Sequence, residues 1–377
     1  MSSTSLRVGA QTRARRAGPT TAGAAPAPGF RADIQGLRAV AVLLVLLSHY
    51  FEQPAGGFIG VDVFFVLSGF LITGLLLREH DVTGRISLRG FYARRARRIL
   101  PVGVLVIAVT SAVSYLLLVG GRAQQVLTDA LWATGFAANI HFQRVGTDYF
   151  QDERPPSPLQ HYWSLAVEEQ FYVLWPLVLL LALGLAAGRG WRRPRAVLAG
   201  VTAAVFAGSL WWSLELTASS PTVAYFSTVT RAWELGVGAL LALAHRPLLT
   251  LPTAVATALS WAGLVGLVMS AVVIDGTTPF PGAAAIAPVL ATAALLVGGM
   301  GRTSTRSPSA SWGLCNAVSG YLGQISYSLY LWHWPVLVLA EALVGDPSAP
   351  VRLLLLASSV GLAVLSFHLV ERPVLRS

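Results

Sequence analysis

A chain of 377 residues with 54% hydrophobic and only 12% charged side chains is too apolar for a soluble domain of ordinary make-up, so a bilayer is its natural solvent. Its formal charge of +10 rests on 27 basic residues, all of them Arg. They stand in clusters between apolar runs rather than along one basic face, which excludes a nucleic-acid partner. The single cysteine, Cys315, excludes an intramolecular disulfide and a Cys-based metal cluster, and is read as a packing residue.

Residues 1–30 are rich in Ser, Thr, Ala, Pro, Gly and Arg and have no apolar period, so a disordered cytoplasmic tail is expected there, ahead of one membrane domain over 31–377. A cleaved signal peptide is not expected, because the first apolar stretch starts only after Arg38 and leads straight into a second. Apolar segments that cross the bilayer, or nearly so, begin near Leu37, Phe58, Ile99, Trp163, Val197, Val223, Ala254, Gly282, Tyr321 and Val351. An eleventh, Val126 to Phe142, is shorter and carries Asp129, Asn139 and His141.

Arg lies before Leu37, from Arg78 to Arg98, from Arg189 to Arg195, at Arg246, at Arg302 and Arg306, and at Arg372 and Arg376, all cytoplasmic by the positive-inside rule. Between the Arg78 and Arg189 clusters the number of crossings must be even, yet three candidates lie there. The polar segment 126–142 is therefore expected to be re-entrant or interfacial on the outer side. The predicted architecture is an all-α polytopic bundle of about ten transmembrane helices with both termini cytoplasmic. An accessibility tag at Gln151 should read extracytoplasmic and one at Gly190 cytoplasmic; the reverse pattern would overturn this topology.

In the first span, Arg38 opens the helix and His49 follows eleven residues on, about 16 Å away at the α-helical rise. Ionisable groups inside membranes mark function by default, and a neutral imidazole is a natural general base for an acceptor hydroxyl. The second span carries Asp62 at a similar depth, either to orient His49 or as an acid favoured at a helix N-terminus. Below it, Ser68 and Gly69 permit close helix packing. The loop FYARRARRILP sets Arg94, Arg95, Arg97 and Arg98 at the inner face, as a topology anchor on anionic lipid heads or as a site for the phosphates of a nucleotide-bearing donor.

HYWSLAVEEQFYVLWPL opens a further span, with Ser164 and Glu168 on one helix face and Glu169 just off it. Either carboxylate is a candidate acid, base or acceptor-positioning group near the outer boundary, and Ser164 is an acceptor contact or a helix cap. In TRAWELG, Arg231 and Glu234 are spaced to pair with each other. In SYSLYLWHWPV, His333 is placed either to meet His49 and Glu168, contacting the acceptor, or to join an interfacial aromatic belt.

FRADIQGLRAVAVLLVLLSHYF, GVDVFFVLSGFLIT, FYARRARRILP, HYWSLAVEEQFY, ISYSLYLWHWPV and the closing VERPV together resemble the acyltransferase-3 membrane family, over nearly the whole chain after Phe30. The family's Arg-x10-His pattern falls on Arg38 and His49. Its basic loop falls on Arg94, Arg95, Arg97, Arg98 and Pro101, and its SL-x-x-E pattern on Ser164, Leu165 and Glu168. The resemblance implies a multi-pass O-acyltransferase of the cell membrane that takes acyl-CoA, most often acetyl-CoA, and modifies a hydroxyl of a surface polysaccharide, peptidoglycan, a lipid-linked sugar or a macrolide-like metabolite.

On that reading Arg38 and the four clustered arginines hold the CoA phosphates, and His49, with Asp62 or Glu168, works on the acceptor or carries the acyl group. Ser164, Glu169 and His333 contact the acceptor, membrane lipids surround the bundle, and no metal takes part. Many such proteins continue after the ERP sequence into an SGNH hydrolase-like domain, whereas this sequence stops at Ser377. The expectation is that the membrane domain completes transfer itself or that a separate extracytoplasmic transferase does. A transporter or flippase of a glycolipid is the rival reading, but the two halves show no internal repeat.

Overall fold

The computed structural model describes residues 31–147, 149, 155–189, 194–300 and 309–376. The expected tail, both tag positions, Arg302 and Arg306 lie outside the described residues. The described chain runs α1 (Ala32–Phe51), α2 (Gly60–Thr83), α3 (Leu88–Leu117), α4 (Gly121–Thr134), α5 (Ala138–Arg144) and α6 (Tyr162–Gly188). It continues through α7 (Pro194–Ser219), α8 (Pro221–Phe226), α9 (Thr228–Leu243), α10 (His245–Leu248) and α11 (Thr253–Val273). The last elements are α12 (Ile286–Met300), α13 (Ser311–Leu314), α14 (Ala317–Val344), α15 (Ala349–Ser366), a π-helical turn (Phe367–Glu371) and α16 (Arg372–Arg376).

Eight of these elements are long and apolar enough to cross a bilayer, so the chain is a polytopic membrane helix bundle. They include α1, α2, α3, α6, α7, α11, α14 and α15. The spans expected near Val223 and Gly282 correspond to α9 and α12, of 16 and 15 residues, which fall short of the roughly 20 residues of a full crossing. Large apolar side chains on the bundle's outside stay uncovered, among them Leu116, Val265, Leu354 and Leu365. In water they would form a sticky rim; in lipid they are solvated.

Segment 126–142 is two short helices, α4 and α5, meeting at an elbow where Phe136 takes a positive φ of 50°. The polar residues that interrupt its apolar run are satisfied by protein. Asp129 accepts from Ser157 Oγ at 2.6 Å and pairs with His141 at 2.9 Å, while Asn139 donates to the Phe226 carbonyl and to Thr228. Irregular backbone at membrane depth is tolerable only with such internal partners.

Small residues set the closest approaches. A Cβ at Gly69 would stand 1.8 Å from the carbonyl oxygen of Leu235, and one at Gly238 would stand 2.0 Å from that of Val66. The backbones of α2 and α9 therefore touch, which only glycine at both positions allows. That contact brings Asp62 beneath Arg231.

Two expectations are corrected. FYARRARRILP is not a loop: it lies inside α3, whose N-terminus is capped at Ser87, with the Ser87 hydroxyl accepting from the Gly90 amide at 3.2 Å. Cys315, expected to pack, is exposed.

Candidate active site

Helical phase sorts the arginine quartet. Phe91, Arg95, Ile99 and Val102 recur at spacings of three and four along α3, so that face turns inward; Arg95 and Arg98 are half-buried, whereas Arg94 and Arg97 are exposed. Arg94 reaches Glu79 at 3.0 Å, and Arg97 turns back to the Ala93 carbonyl. Arg95 lies 4.0 Å above the Tyr172 ring and 3.5 Å from Glu169.

Glu168 is the centre of this layer. It accepts from Ser68 of α2 and from Tyr172, one turn further along α6. Arg38 feels the charges of Arg98, Glu168 and Glu371, and Glu371 in turn accepts from Ser328 at 3.0 Å. Three carboxylates and three arginines from α1, α3, α6 and the π-helical turn thus compensate one another where isolated charges would be costly.

His49 lies eleven residues from Arg38, so a second layer stands about 16 Å along α1 from the first. Its Nδ1 is 3.0 Å from His333 Nε2, and its Nε2 is 3.0 Å from the Tyr149 hydroxyl. The Trp334 ring packs on it at 4.6 Å, and Trp334 donates its indole N–H to the Ser157 carbonyl at 2.8 Å. His161 joins from the α6 entrance with its ring 5.7 Å from that of His333. Tyr50 anchors the layer from below by donating to the His333 carbonyl at 2.9 Å. Tyr149 sits in the connection between α5 and α6, where burial pushes its phenol up to about 12 and keeps it a hydrogen-bond donor at neutral pH.

A third cluster holds α2 to α9. Arg231 Nη1 donates to Asp62 Oδ1 at 2.9 Å and to Glu234 Oε1 at 2.7 Å, with its guanidinium within 5.4 Å of the Trp163, Tyr225 and Phe280 ring centres. The Arg231–Glu234 pair is the one read from spacing; Asp62 is its additional member.

The expected grouping of His49 with Asp62 and Glu168 is not made. Asp62 is taken by Arg231, Glu168 belongs to the arginine layer, and both ring nitrogens of His49 are engaged by His333 and Tyr149. Glu169, expected as an acceptor contact near the outer boundary, pairs with Arg95 instead. Ser164 is neither a cap nor open: its hydroxyl meets that of Tyr330 at 2.7 Å and ties α6 to α14. His333 meets His49 and no part of Glu168.

Tyr149, Tyr172 and Glu371 were not singled out from the sequence. Tyr172 had a signal, since it follows Glu168 at i+4 on the same face. Tyr149 had none, being a connection residue that meets His49 only through tertiary structure.

The chain matches the acyltransferase-3 family, described as an acyltransferase domain, over residues 31–368. It is 34% identical over 357 residues to a putative peptidoglycan O-acetyltransferase YrhL of Bacillus subtilis, covering 90% of this chain and 54% of that protein. It is 31% identical over 356 residues to the peptidoglycan O-acetyltransferase OatA of Listeria monocytogenes, covering 91% and 55%. A putative O-acetyltransferase of Staphylococcus aureus, SAS0844, is 31% identical over 355 residues, covering 91% and 57%. The chain therefore spans a little over half the length of these relatives. No solved structure matches it. The family match runs over residues 31–368, a range that contains Arg38, His49, Glu168 and His333, so the chain belongs to the acyltransferase-3 family.

Proposed function

We propose that this protein is a multi-pass O-acyltransferase of the cell membrane, moving an acyl group, in the first instance acetyl, from acyl-CoA to a hydroxyl of a carbohydrate or glycosylated acceptor. The observation that carries the reading is the pairing on one helix of an arginine layer at Arg38 with a half-buried imidazole at His49, about 16 Å apart. The names of the relatives favour acetyl as the group and a cell-wall glycan as the acceptor class.

In this reading the exposed Arg94 and Arg97 meet the nucleotide phosphates first, and Arg98 and Arg38 continue the positive path inward. The pantetheine arm then bridges the layers and brings the thioester to His49. His49 Nε2 removes the acceptor hydroxyl's proton as its oxygen attacks the thioester carbonyl; the C–S bond breaks, and the CoA thiolate takes the proton back from the imidazolium. The acceptor hydroxyl occupies the place against Nε2 that Tyr149 now fills, so Tyr149 must swing aside.

Purified protein in detergent or nanodiscs, given acetyl-CoA, should release free CoA thiol only when a glycan acceptor is added. Release at the same rate without acceptor, or none with a panel of peptidoglycan fragments and lipid-linked sugars, would refute the reading.

A further inference from the structure

The hydrogen bonds around His333 have one solution for where the protons sit. His333 Nδ1 lies 2.5 Å from the Tyr330 carbonyl oxygen, one turn earlier in α14. A carbonyl can only accept, so His333 Nδ1 carries the hydrogen and, in the neutral ring, Nε2 is left with a lone pair. That lone pair faces His49 Nδ1 at 3.0 Å, so His49 Nδ1 must be the donor. His49 Nε2 is then the bare nitrogen, and the Tyr149 hydroxyl at 3.0 Å donates to it.

The ring geometry agrees with a true N–H···N bond. The two imidazole planes are 2° apart with centroids separated by 5.2 Å, which is the arrangement of rings meeting edge to edge in one plane rather than face to face. The N–H of one ring therefore points along the lone pair of the other. His333 is fully buried, and the Tyr50 hydroxyl holds its backbone carbonyl while meeting Ser359 at 2.8 Å.

We propose that His333 is a positioning residue that holds His49 in the Nδ1–H tautomer, leaving Nε2 as the base, with the Tyr330 carbonyl as the fixed end of the relay. The inference rests on the acyltransferase reading for the purpose of that base, while the tautomer itself can be measured apart from activity. The same bond serves both stages of the reaction. When His49 Nε2 accepts the substrate proton, Nδ1–H still points at the His333 lone pair, which is better placed to meet the new positive charge than hydrocarbon would be. A neutral imidazole thus takes the orienting role that a carboxylate fills in a Ser-His-Asp triad, without burying a net charge at that level of the bundle.

An acceptor contact by His333 would lose turnover in the same variants without fixing which nitrogen of His49 carries the proton, so the tautomer of His49 separates the two roles. Gln at 333 can place a carbonyl oxygen near the Nε2 position and accept from His49, whereas Asn reaches only the Nδ1 position and Leu offers no acceptor. With the full chain in nanodiscs, H333Q should keep acetyl transfer within about tenfold of the parent, and H333N and H333L should lose roughly 10² to 10⁴-fold in kcat. Thermal unfolding of each variant separates this loss from misfolding.

A direct readout is solid-state NMR on protein carrying histidine labelled with ¹⁵N at Nδ1, with the His49 signal identified by its absence in H49Q. His49 Nδ1 should be protonated in the parent and in H333Q. An active parent with a bare His49 Nδ1, or H333N as active as H333Q, would overturn this inference alone. A protonated Nδ1 in a parent that transfers no acetyl would uphold the tautomer and refute the acyltransferase reading together with the catalytic purpose given to it.

Discussion

His49→Ala is expected to reduce acyl transfer by at least 10² to 10⁴-fold while leaving insertion, yield and thermal unfolding close to the parent. The size follows from what the ring does. Loss of a general base forces the acceptor hydroxyl to attack with its proton still attached, and the His333 lone pair stands a full imidazole width from the place that Nε2 held. The fold should tolerate the change, since His49 lies in the last turn of α1 and is only half-buried, while the helix is held by Ala41, Val42, Val45, Leu46 and Tyr50 on its inward face. The measurement is acceptor-dependent thiol release at saturating acetyl-CoA, with size-exclusion and unfolding profiles on the same preparations. Turnover within a few-fold of the parent would remove His49 from the chemistry.

Arg231→Leu is expected to have the largest effect on stability. Arg231 is fully buried, and its Nη1 is shared by Asp62 and Glu234, so its loss leaves two carboxyl groups without their cation between α2 and α9. Breaking a buried pair by removing one partner costs about 3–5 kcal/mol, and here the aromatic box of Trp163, Tyr225 and Phe280 would also lose the guanidinium that fills it. A sharp fall in folded yield and in the thermal midpoint in detergent should follow. Replacing the whole cluster, as in Asp62→Leu with Arg231→Met and Glu234→Leu, should restore much of that loss, because apolar groups of similar volume need no partner. An Arg231→Leu protein as stable as the parent would mean that the three charges do not hold these helices together.

The contrast between the two variants separates groups that the sequence places side by side in importance. Asp62, Glu168 and His49 all look like rare ionisable residues in apolar helices. Asp62 is bound up with helix association, Glu168 is anchored in the arginine layer by Ser68 and Tyr172, and His49 has its partners at the other end of α1. Only the last meets a partner, Tyr149, that comes from a connection between helices.

Several features were legible from residues alone. Apolar runs announced the helices, because a bilayer demands about 20 residues of apolar helix with every backbone group satisfied internally. The 16 Å offset of Arg38 and His49 followed from helical rise, and the Arg231–Glu234 pair from i, i+3 spacing. The division of the arginine quartet was also within reach: Arg95 and Arg98 share the face of Phe91, Ile99 and Val102, but reading the segment as a loop hid that phase.

Partners across helices needed the tertiary structure. Spacing within a helix says which side chains share a face, but not which neighbour that face meets, at what rotation or at what depth. The meeting of Asp62 with Arg231 depends on α2 and α9 touching at Gly69 and Gly238, and that of Glu168 with Ser68 on the register of α6 against α2. His49 and His333 are 284 residues apart, and Tyr149 comes from a connection with no period of its own. The sequence by itself determined a membrane bundle with ionisable groups at two levels of its first helix; the tertiary structure decided that the imidazole of the second level is oriented by another imidazole, because a hydrogen bond needs a donor and a lone pair brought to one line and only packing does that.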